Sequence, residues 1–481
     1  MAKLIQPRVL KGFRDSLPYG PQGEKRRRRM ISKLGDLFEL GGFDPIDTPA
    51  LELAEILLGK AGGETEKQVY RFQDNGGRDV ALRFDLTVPF SRFVVQHAGD
   101  LDFPFKRYHI AKVWRGENAQ RGRYREFFQC DFDIVGDGSI LADLCILQMV
   151  HNALRALQQD YPALGPMRIH VNHRGLLAAF WNVCGVEPER RSPALRIIDK
   201  LHKIGCEAAR RELEALLGPK ITEALLACLG LSSEETGQDR SALVKLSESP
   251  DEPERLRVLL QELAGGELPV EAQNALAELR QIAAFAKESS LNLYFDPSIA
   301  RGLDYYTGMV FETFPENLPD LGSVCSGGRY DKLTQMYSKA EIPGVGGSIG
   351  LDRLLAGLEE LEQSHAPDKA ATPDSDESSL IISLDPDWKT ANIDGEKEDQ
   401  ARLACIQLSR ELQQNHLSCD VVPLVKKMNA LFQRAENRNC RYLLLLKPDF
   451  RWQLRNLQNR ESKLLQSAVE ILQTIRPESG P

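Results

Sequence analysis

The spacing of hydrophobic positions divides this chain into segments with a helical period and segments with a strand period. Between Ile31 and Phe38 apolar residues recur every three or four positions, which predicts a helix from about Pro21 to Leu40 that ends at Gly41 and Gly42. The residues before this helix predict an irregular arm. Further along, the pattern predicts an extended segment and a short helix over 43–57, and strand, turn, strand and helix over 68–98.

The segment from Tyr108 to Gly136 predicts two strands around a basic loop. Polar and apolar side chains alternate in its second strand and fall on opposite faces. A sheet face this polar is either a solvated outer face or the floor of a site for a charged ligand, and the pattern alone leaves both open. The polar face carries Arg125, Phe127, Gln129, Asp131 and Asp133, and the other face carries Glu126, Phe128, Cys130, Phe132 and Ile134.

A second polar alternation lies upstream of this hairpin. Arg83, Asp85 and Thr87 alternate with apolar residues, which predicts another sheet segment with one polar face. After the hairpin the pattern predicts an amphipathic helix over about Leu141 to Leu157, and then a strand that enters a helix at MRIHVNHRGLL. From about Val186 to Ser290 the chain becomes Leu-, Ala- and Glu-rich, which predicts an inserted helical module.

Strand patterns return at Leu291, followed by a tight group of polar and aromatic residues from Arg301 to Tyr306. SVCSGGRYDKLTQMY predicts a glycine turn that enters a helix. PGVGGSIG lacks the spacing of a phosphate-binding or dinucleotide-binding loop. We therefore expect its glycines to serve close backbone packing, with Arg353 at the head of a buried helix.

The last hundred residues predict a separate small α/β domain, with buried strands at SLIISL and RYLLLL and helices between them. From Lys426 to Lys463, lysine and arginine outnumber acidic residues about threefold. This basic stretch is either a solvated face or a nucleic-acid surface. The run Arg26 to Arg29 is expected to be mainly a solvated helix face, with RNA contact as the alternative.

Composition narrows the function classes. The 481 residues carry a net charge of −8, so any nucleic-acid contact must come from local basic patches. Nine cysteines without a CxxC pair argue against a zinc site and a disulfide scaffold, and they fit a reducing compartment. No apolar run is as long as a membrane span, and the N-terminus shows no signal-peptide pattern. We expect a cytoplasmic enzyme that makes no membrane contact and has no dedicated metal site.

Five motifs in order closely resemble the histidyl-tRNA synthetases, which are class II aminoacyl-tRNA synthetases. The resemblance runs from KGFRDSLP to LAGLEEL and is weakest in the helical insertion. FDPIDTPALE resembles motif 1, whose proline is Pro49 here and lies at the dimer interface in that class. The hairpin resembles motif 2, and GVGGSIGLDRLL resembles motif 3. RGLDYYTGMVFE and SGGRYD are similar to signatures of the histidine-specific enzymes.

This resemblance implies an α+β fold, with a class II antiparallel sheet flanked by helices rather than a Rossmann fold. It also implies a homodimer and a C-terminal α/β domain of the anticodon-binding type. The expected domains are a first part of the catalytic core at 1–185, a helical insertion at 186–290, a second part of the core at 291–362, a linker at 363–379 and the anticodon-binding-like domain at 380–481.

The implied reaction joins L-histidine to ATP as histidyl-adenylate and then transfers the acyl group to tRNA-His. The chemistry needs positioning and charge neutralisation at the α-phosphate, which arginine side chains supply. Mg²⁺ would be bound mainly through the ATP phosphates. The resemblance implies catalytic roles for Arg115, Arg301 and Arg353; nucleotide contacts from Arg115, Glu117, Arg125, Phe127 and Arg353; histidine contacts from Asp85, Leu86, Thr87, Arg115, Gln129, Asp133, Arg301, Tyr305, Tyr306 and Tyr330; and contacts to the tRNA acceptor end from Gln120, Arg121 and Arg123.

Some features depart from the family pattern. Asp85 and Asp133 stand where many bacterial members have glutamate, and the glycine-rich turns expected before the last strands are absent. Two alternative functions are a regulatory subunit of ATP phosphoribosyltransferase and a synthetase-like module that senses uncharged tRNA. Arg115, Arg301 and Arg353 are all present, as is the C-terminal domain, and this favours the enzyme.

Overall fold

A computed structural model describes residues 5–18, 20, 22–59, 68–118, 122–230, 244–299, 306–364, 376–391, 395–424, 427–438 and 440–475. The chain divides into two compact units. The first comprises Met1–Ser16 and Arg27–Ser364, and the second comprises Leu17–Arg26 and His365–Pro481.

The first unit is built on a large sheet. Its described strands are β1 (Asp44–Pro45), β2 (Leu51–Leu53), β3 (Arg71–Gln73), β4 (Asp79–Leu82), β5 (Phe105–Trp114), β6 (Glu126–Val135), β7 (Met167–His173), β8 (Val244–Lys245), β9 (Leu293–Phe295), β10 (Met309–Pro315), β11 (Cys325–Arg329) and β12 (Gly344–Gly350). Among described residues, nine of them form one sheet in the order β1-β5-β6-β12-β11-β10-β7-β9-β8, and the other three form a small sheet in the order β2-β4-β3.

Most neighbours in the large sheet are antiparallel, and only the pairs β1–β5 and β7–β9 are parallel in the described part of the chain. A doubly wound fold would need a mainly parallel sheet. The predicted α+β class is therefore confirmed.

The predicted hairpin forms in the expected register. β5 and β6 pair from Phe105↔Val135 to Trp114↔Glu126. Cys130, Phe132 and Ile134 enter the main hydrophobic core, as their alternation predicted. The opposite face of β6 is directed toward polar cavities rather than bulk solvent. The binding-floor interpretation of this face is therefore favoured over the solvated one.

Helices cover the sheet and complete the first unit. Met30, Leu34 and Phe38 of the first helix are buried in the main core, and Phe38 stacks on Phe132 with ring centroids 4.9 Å apart. The helices are α1 (Glu24–Leu40), α2 (Ala54–Leu58), α3 (Thr87–Gln96), α4 (Ile140–Asp160), α5 (Arg174–Val183), α6 (Pro188–Asp199), α7 (Leu201–Ile204), α8 (Cys206–Leu217), α9 (Pro219–Cys228), α10 (Glu252–Ala264), α11 (Val270–Glu288) and α12 (Leu351–Ser364).

The glycine pair in SGGRYD lies in a strand, so the predicted glycine turn is wrong. Gly327 belongs to β11 and faces Gly347 of β12. A Cβ on Gly327 would lie 2.1 Å from the carbonyl oxygen of Gly346, and one on Gly347 would lie 2.9 Å from the ring of Phe132. Only glycine lets these strands and the core rings approach so closely. The segment after β11 is a short 3₁₀ helix, Leu333–Met336.

The polar alternation around Asp85 is not a strand either. β4 ends at Leu82, and α3 begins at Thr87. Asp85 accepts a hydrogen bond from the Val88 amide at 3.1 Å, which satisfies one donor at the start of the helix. Arg83 is buried and donates to the carbonyl oxygens of Thr48 and Lys112.

The inserted helices share the main core with the sheet. Leu213, Leu225 and Leu260 belong to the same buried cluster as the residues of β6. A Cβ on Gly175 of α5 would lie 2.9 Å from the carbonyl oxygen of Glu271 in α11, so these helices touch through their backbones. The described part of the insertion is mainly helical, apart from the two-residue strand β8, and belongs to the first compact unit.

One described helix, α4, is long and apolar enough by length and composition to cross a membrane, contrary to our expectation from the sequence. Ile146, Leu147 and Val150 of this helix are fully buried in the main core. Such burial is the arrangement of a core helix.

The run of arginines on α1 is not simply solvated. Arg27 is buried, its guanidinium lies 3.1 Å from Asp352, and it donates to Ser16 at 2.6 Å. The boundaries of the predicted linker also shift, because α12 continues to Ser364 and the next strand begins at Asp376.

The second unit contains a five-stranded sheet among its described residues. The strand 376–384 lies between two parallel neighbours, 418–421 and 440–446. The strands 452–456 and 462–465 continue the sheet beyond 440–446 with antiparallel pairing. The predicted β-α-β order is present, and the strands 418–421, 452–456 and 462–465 were not predicted. The elements are β13 (Asp376–Leu384), α13 (Gly395–Gln414), β14 (Ser418–Val421), α14 (Met428–Asn437), β15 (Cys440–Leu446), β16 (Trp452–Asn456), β17 (Ser462–Leu465) and α15 (Ala468–Ile475), with the sheet order β14-β13-β15-β16-β17.

Candidate active site

Two adjoining cavities lie over the polar face of β6, β11 and β12. The first has a volume of about 280 Å³ and the second about 180 Å³. Their shared wall contains Arg115, Gln129, Ser326 and Ser348. Two ligands, or two parts of one ligand, would therefore meet beside the Arg115 guanidinium.

The first cavity is lined mostly by polar groups and backbone. Seven predicted histidine-contacting residues come together here, although they derive from separate segments of the chain. The glycines of β12 keep the floor open, because a Cβ on Gly346 would lie 1.9 Å from the Asp133 carboxylate. The lining residues that were predicted are Asp85, Thr87, Arg115, Gln129, Asp133, Tyr306 and Tyr330.

Each carboxylate oxygen of Asp133 contacts another buried side chain. Its Oδ2 lies 2.6 Å from the Arg107 guanidinium, and its Oδ1 accepts a hydrogen bond from the Tyr330 hydroxyl group. Burial raises the pKa of Asp133, while Arg107 and the Tyr330 hydrogen bond oppose that rise. The carboxylate thus faces the cavity with a cation behind it.

Arg115 is held in place by a backbone carbonyl group and lies near an aromatic ring. Its Nε donates to the Phe84 carbonyl oxygen at 2.8 Å, and its guanidinium lies 5.3 Å from the centroid of the Phe127 ring. The neighbouring Asp85 has a raised pKa, mainly because it is desolvated, and Arg115 is among the groups that oppose this shift. The first cavity therefore combines two carboxylates, Asp85 and Asp133, with a fixed guanidinium.

The second cavity combines an aromatic ring with arginine side chains. Arg353 is the third residue of α12, and its guanidinium donates to the Ser323 carbonyl oxygen. Such a set suits a planar ring joined to anionic groups. The lining includes the predicted nucleotide contacts Arg115, Glu117, Phe127 and Arg353, together with Arg123, which was predicted at the tRNA acceptor end.

Asp352 links the second cavity to the N-terminal arm. Arg14 and Arg27 contact its Oδ1 at 2.5 and 3.1 Å, and its Oδ2 accepts from the Phe128 amide at 2.7 Å. The Arg14 guanidinium also lies 3.9 Å from the centroid of the Tyr124 ring, so the arm contacts the far end of the hairpin. This arrangement ties the start of α12 to β6.

The chain is similar in sequence to known proteins over most of its length. A family model described as "Histidyl-tRNA synthetase" matches residues 12–354. The histidine–tRNA ligase of Treponema denticola is 44% identical over 456 residues, which cover 93% of this chain and 91% of that protein. The chain belongs to the histidyl-tRNA synthetase family. The enzyme of Rhodopirellula baltica is 45% identical over 361 residues, which cover 74% of this chain and 76% of that protein.

Solved structures of the histidyl-tRNA synthetase family share the fold. The histidyl-tRNA synthetase of Nostoc sp. PCC 7120 has a TM-score of 0.77 and 26% identity, covering 98% of this chain and 100% of that one. A Bacillus halodurans protein described as "ATP phosphoribosyltransferase regulatory subunit/histidyl-tRNA synthetase" has a TM-score of 0.64 and 22% identity, covering 90% of this chain and 97% of that one. At that identity, the second likeness concerns the fold alone.

Several residues that the family resemblance implicated do not line the cavities or cannot be placed. The Leu86 side chain is fully buried just before α3. Arg125 donates to the carbonyl oxygens of Glu117 at 3.0 Å and Lys11 at 3.3 Å, and so braces the hairpin loop. Four further residues lie outside the described residues: Gln120, Arg121, Arg301 and Tyr305.

Other lining or supporting residues were missed. Glu312 of β10 is a buried carboxylate at the wall of the first cavity, and an acid within the apolar strand MVFETF was a usable signal. Arg107 was detectable only through register, since it lies directly across from Asp133. Ser348 lies in the glycine-rich β12 and faces both cavities.

The described residues contain no group of three or more His, Cys, Asp and Glu side chains arranged to hold a metal ion. Of the two described acids that line the second cavity, Asp352 is occupied by Arg14 and Arg27. Glu117 is the other, and its Oε1 lies 4.0 Å from the Arg115 guanidinium.

Proposed function

We propose that this protein is a histidine–tRNA ligase that activates L-histidine with ATP and transfers the histidyl group to tRNA-His. The two cavities that meet at Arg115 carry this proposal, because adenylate formation needs a carboxylate and an α-phosphate side by side. The curated relatives named above are all histidine–tRNA ligases, and this makes the regulatory-subunit alternative the weaker one.

The first cavity would hold the amino acid. Asp133, backed by Arg107 and Tyr330, would accept a hydrogen bond from the imidazole ring, and Tyr306 would line the same end. Asp85, Thr87 and Gln129 would receive the α-ammonium group. Arg115 would hold the carboxylate against the phosphate. A pocket built from buried polar partners rejects apolar analogues strongly, because those analogues leave the partners unpaired.

The second cavity would hold ATP, with adenine on Phe127 and the γ-phosphate end at Arg353. Positioning and charge neutralisation then account for most of the catalysis. When bound, Mg²⁺ would neutralise phosphate charge, and Glu117 is the described acid at this cavity that would contact it besides the phosphates. Arg301 and Tyr305 are proposed for the α-phosphate and the histidine pocket, and Gln120, Arg121 and Arg123 for the acceptor end of tRNA.

Replacing Arg115 tests this assignment. Arg115→Ala should lower histidine-dependent ATP–pyrophosphate exchange by about 100-fold or more, because the group faces developing charge. Arg191→Ala is a matched control, since that arginine donates to Val186 and Asn182 within the helical insertion and lines neither cavity. Retention of exchange in Arg115→Ala would refute the role, whereas its loss in both variants would indicate general damage.

The second compact unit is proposed as the anticodon-binding domain. Several cations of its basic stretch are paired, for example Arg434 with Asp420 at 3.0 Å and Arg451 with Asp449 at 2.6 Å. Arg460 and Lys463 are exposed at and after the turn between β16 and β17. Reversing both charges should raise the KM for tRNA-His without changing ATP–pyrophosphate exchange, and Arg402→Glu on the exposed face of α13 serves as the control.

A homodimer and a cytoplasmic location complete the proposal. Leu51 and Leu53 of β2 are 40% and 42% exposed and follow Pro49, the residue that resembles the interface proline of the class. Phe72 of β3 is 47% exposed in the same small sheet. Sedimentation equilibrium should give twice the chain mass, and Leu51→Glu should shift it toward the monomer.

A further inference from the structure

Asp131 is a buried carboxylate behind the wall shared by the two cavities. Only 1% of the residue is exposed, and it lines neither cavity. It lies directly across from His109 on β5 and from Ser348 on β12. An acid in such a place needs a partner, because burying a carboxylate is costly.

Ser348 connects Asp131 to the cavity wall. The Gln129 side-chain amide donates from Nε2 to the Ser348 hydroxyl oxygen at 3.2 Å. Ser348 lies directly opposite Asp131 in the β6–β12 pairing, and its hydroxyl group opposes the rise in the Asp131 pKa that burial causes. Above about pH 7 Asp131 is ionised and its carboxylate can only accept, so Ser348 then donates its single proton to Asp131 and accepts from Gln129.

This direction determines which end of the Gln129 amide faces the cavity. With Nε2 engaged by Ser348, the carbonyl oxygen Oε1 is the remaining end. Oε1 is buried and accepts no hydrogen bond from any described residue. Gln129 lines both cavities, so this acceptor needs a donor from a bound molecule.

We propose that Asp131 is a positioning residue, which acts through Ser348 to hold the Gln129 carbonyl oxygen ready for the α-ammonium group of the amino-acid substrate. This inference rests on the proposed function, in which the first cavity takes L-histidine. The new element is the chain of contacts from Asp131 through Ser348 to Gln129, which we call the relay. Through the relay, a carboxylate that touches no substrate determines which end of the Gln129 amide faces the cavity.

Asp131→Asn should reverse the relay. An asparagine amide can donate to Ser348, and the hydroxyl group is then able to donate to Gln129 Oε1. The Gln129 amide would present its nitrogen to the cavity, and two donors would face each other at the ammonium site. A hydrogen bond to a charged group is lost, so the KM for histidine should rise by about 10-fold to 100-fold. The KM for ATP should change little, because the adenine end of the second cavity does not involve Asp131.

Two histidine analogues separate this effect from general damage. Histidinol keeps the ammonium group, and imidazole-propionate lacks it. Calorimetric titration of the full chain should show histidinol binding weakened by the same factor as histidine use, with imidazole-propionate binding unchanged. Asp385→Asn, a buried aspartate of the second unit that pairs with Lys447 at 2.8 Å, is the matched control and should leave both affinities unchanged.

A double-mutant cycle tests the route through Ser348. In the Ser348→Ala background the relay is already broken, so adding Asp131→Asn should weaken histidinol binding by less than twofold. Multiplicative losses would overturn the relay, as would unchanged histidinol binding in Asp131→Asn or equal losses for both analogues. If the unsubstituted chain binds histidinol but shows no histidine-dependent exchange, the proposed function is wrong. The relay is then still tested by the titrations with the two analogues.

Discussion

The Arg107 guanidinium lies 2.6 Å from the Asp133 carboxylate, and both side chains are almost wholly excluded from solvent. Arg107 also lies 4.2 Å from the centroid of the Phe90 ring, so α3 helps to hold it. The pair stands directly behind the first cavity. It supplies the charge that keeps Asp133 able to accept a hydrogen bond from a ligand.

Breaking the ion pair between Arg107 and Asp133 should destabilise the folded state. Arg107→Met leaves Asp133 buried without its cation, and we expect the free energy of unfolding to fall by about 3–5 kcal/mol. Urea denaturation followed by circular dichroism measures it. Adding Asp133→Asn to Arg107→Met removes the isolated charge and should recover at least half of the loss. Failure of the double variant to recover would show that packing of Arg107 matters more than its charge.

Asp133→Asn should affect histidine more than ATP. The amide keeps the shape but is a poorer partner for an imidazole N–H, and we expect the KM for histidine to rise by about 10-fold to 100-fold. Steady-state ATP–pyrophosphate exchange with each substrate varied separates the two ligands. An equal loss for both would argue that Asp133 is structural.

Gly346 should not tolerate a methyl group. A Cβ there would lie 1.9 Å from Asp133 Oδ1, and the carboxylate would be pushed from its place between Arg107 and Tyr330. Gly346→Ala should reduce exchange activity by about 100-fold, because misplacement of a substrate-contacting group is severe. Gly138→Ala, whose Cβ would meet nothing closer than 3.6 Å, should behave like the unsubstituted chain. Similar activity in both variants would contradict the placement of Asp133.

Asn172 of β7 should matter for the segment that precedes the histidine signature. Its amide donates to the carbonyl oxygens of Pro297 and Ile299, both at 3.0 Å, and Ile299 lines the first cavity. Asn172→Ala should lower kcat/KM for histidine by roughly 10-fold or more. Asn292→Ala loses one hydrogen bond, to Met167 at 2.8 Å, away from that cavity and should reduce stability without changing kcat/KM. The reverse pattern would contradict the anchoring role.

Asp131 should make stability depend on pH. Burial raises the pKa of Asp131 to about 7, against about 4 for an unfolded aspartate. Between these values the folded state holds a proton that the unfolded state has released, so the free energy of unfolding falls as pH rises from about 4 to 7. Asp131→Asn removes this contribution, and the difference in stability between pH 5 and pH 8 should shrink by on the order of 2 kcal/mol. An unchanged difference would mean that Asp131 does not titrate in this range.

Local alternation was enough to predict the hairpin and the split of β6 into a core face and a polar face, but it left open whether the polar face meets solvent or a ligand. Motif order then brought together residues as distant as Asp85 and Tyr330. The polar alternation from Arg83 to Thr87 led to the wrong prediction of a strand. The same two-residue period occurs here in a segment that connects the end of a strand to the start of a helix. Gly327 and Gly328 favoured a turn locally, and only the approach of β12 and the core rings shows why glycine stands in a strand there.

Arg107 and Ser348 could not be assigned from the chain because their roles depend on strand register. Arg107 faces Asp133 only when β5 pairs with β6 as it does, and Ser348 faces Asp131 only through the β12 pairing. Burial of Arg27 likewise depends on Asp352, which lies far along the chain. Sequence patterns predict which face of a strand a side chain occupies. Its partners on neighbouring strands are known only once the strand pairing is known.

The measurement that most directly tests the central claim is ATP–pyrophosphate exchange by the intact protein with each of the twenty amino acids in turn. Exchange should depend on L-histidine, with other amino acids lower by a factor on the order of 10⁴, because the first cavity pairs its buried polar groups with an imidazole and an ammonium group. The absence of histidine-dependent exchange, or equal exchange with a second amino acid, would contradict the account.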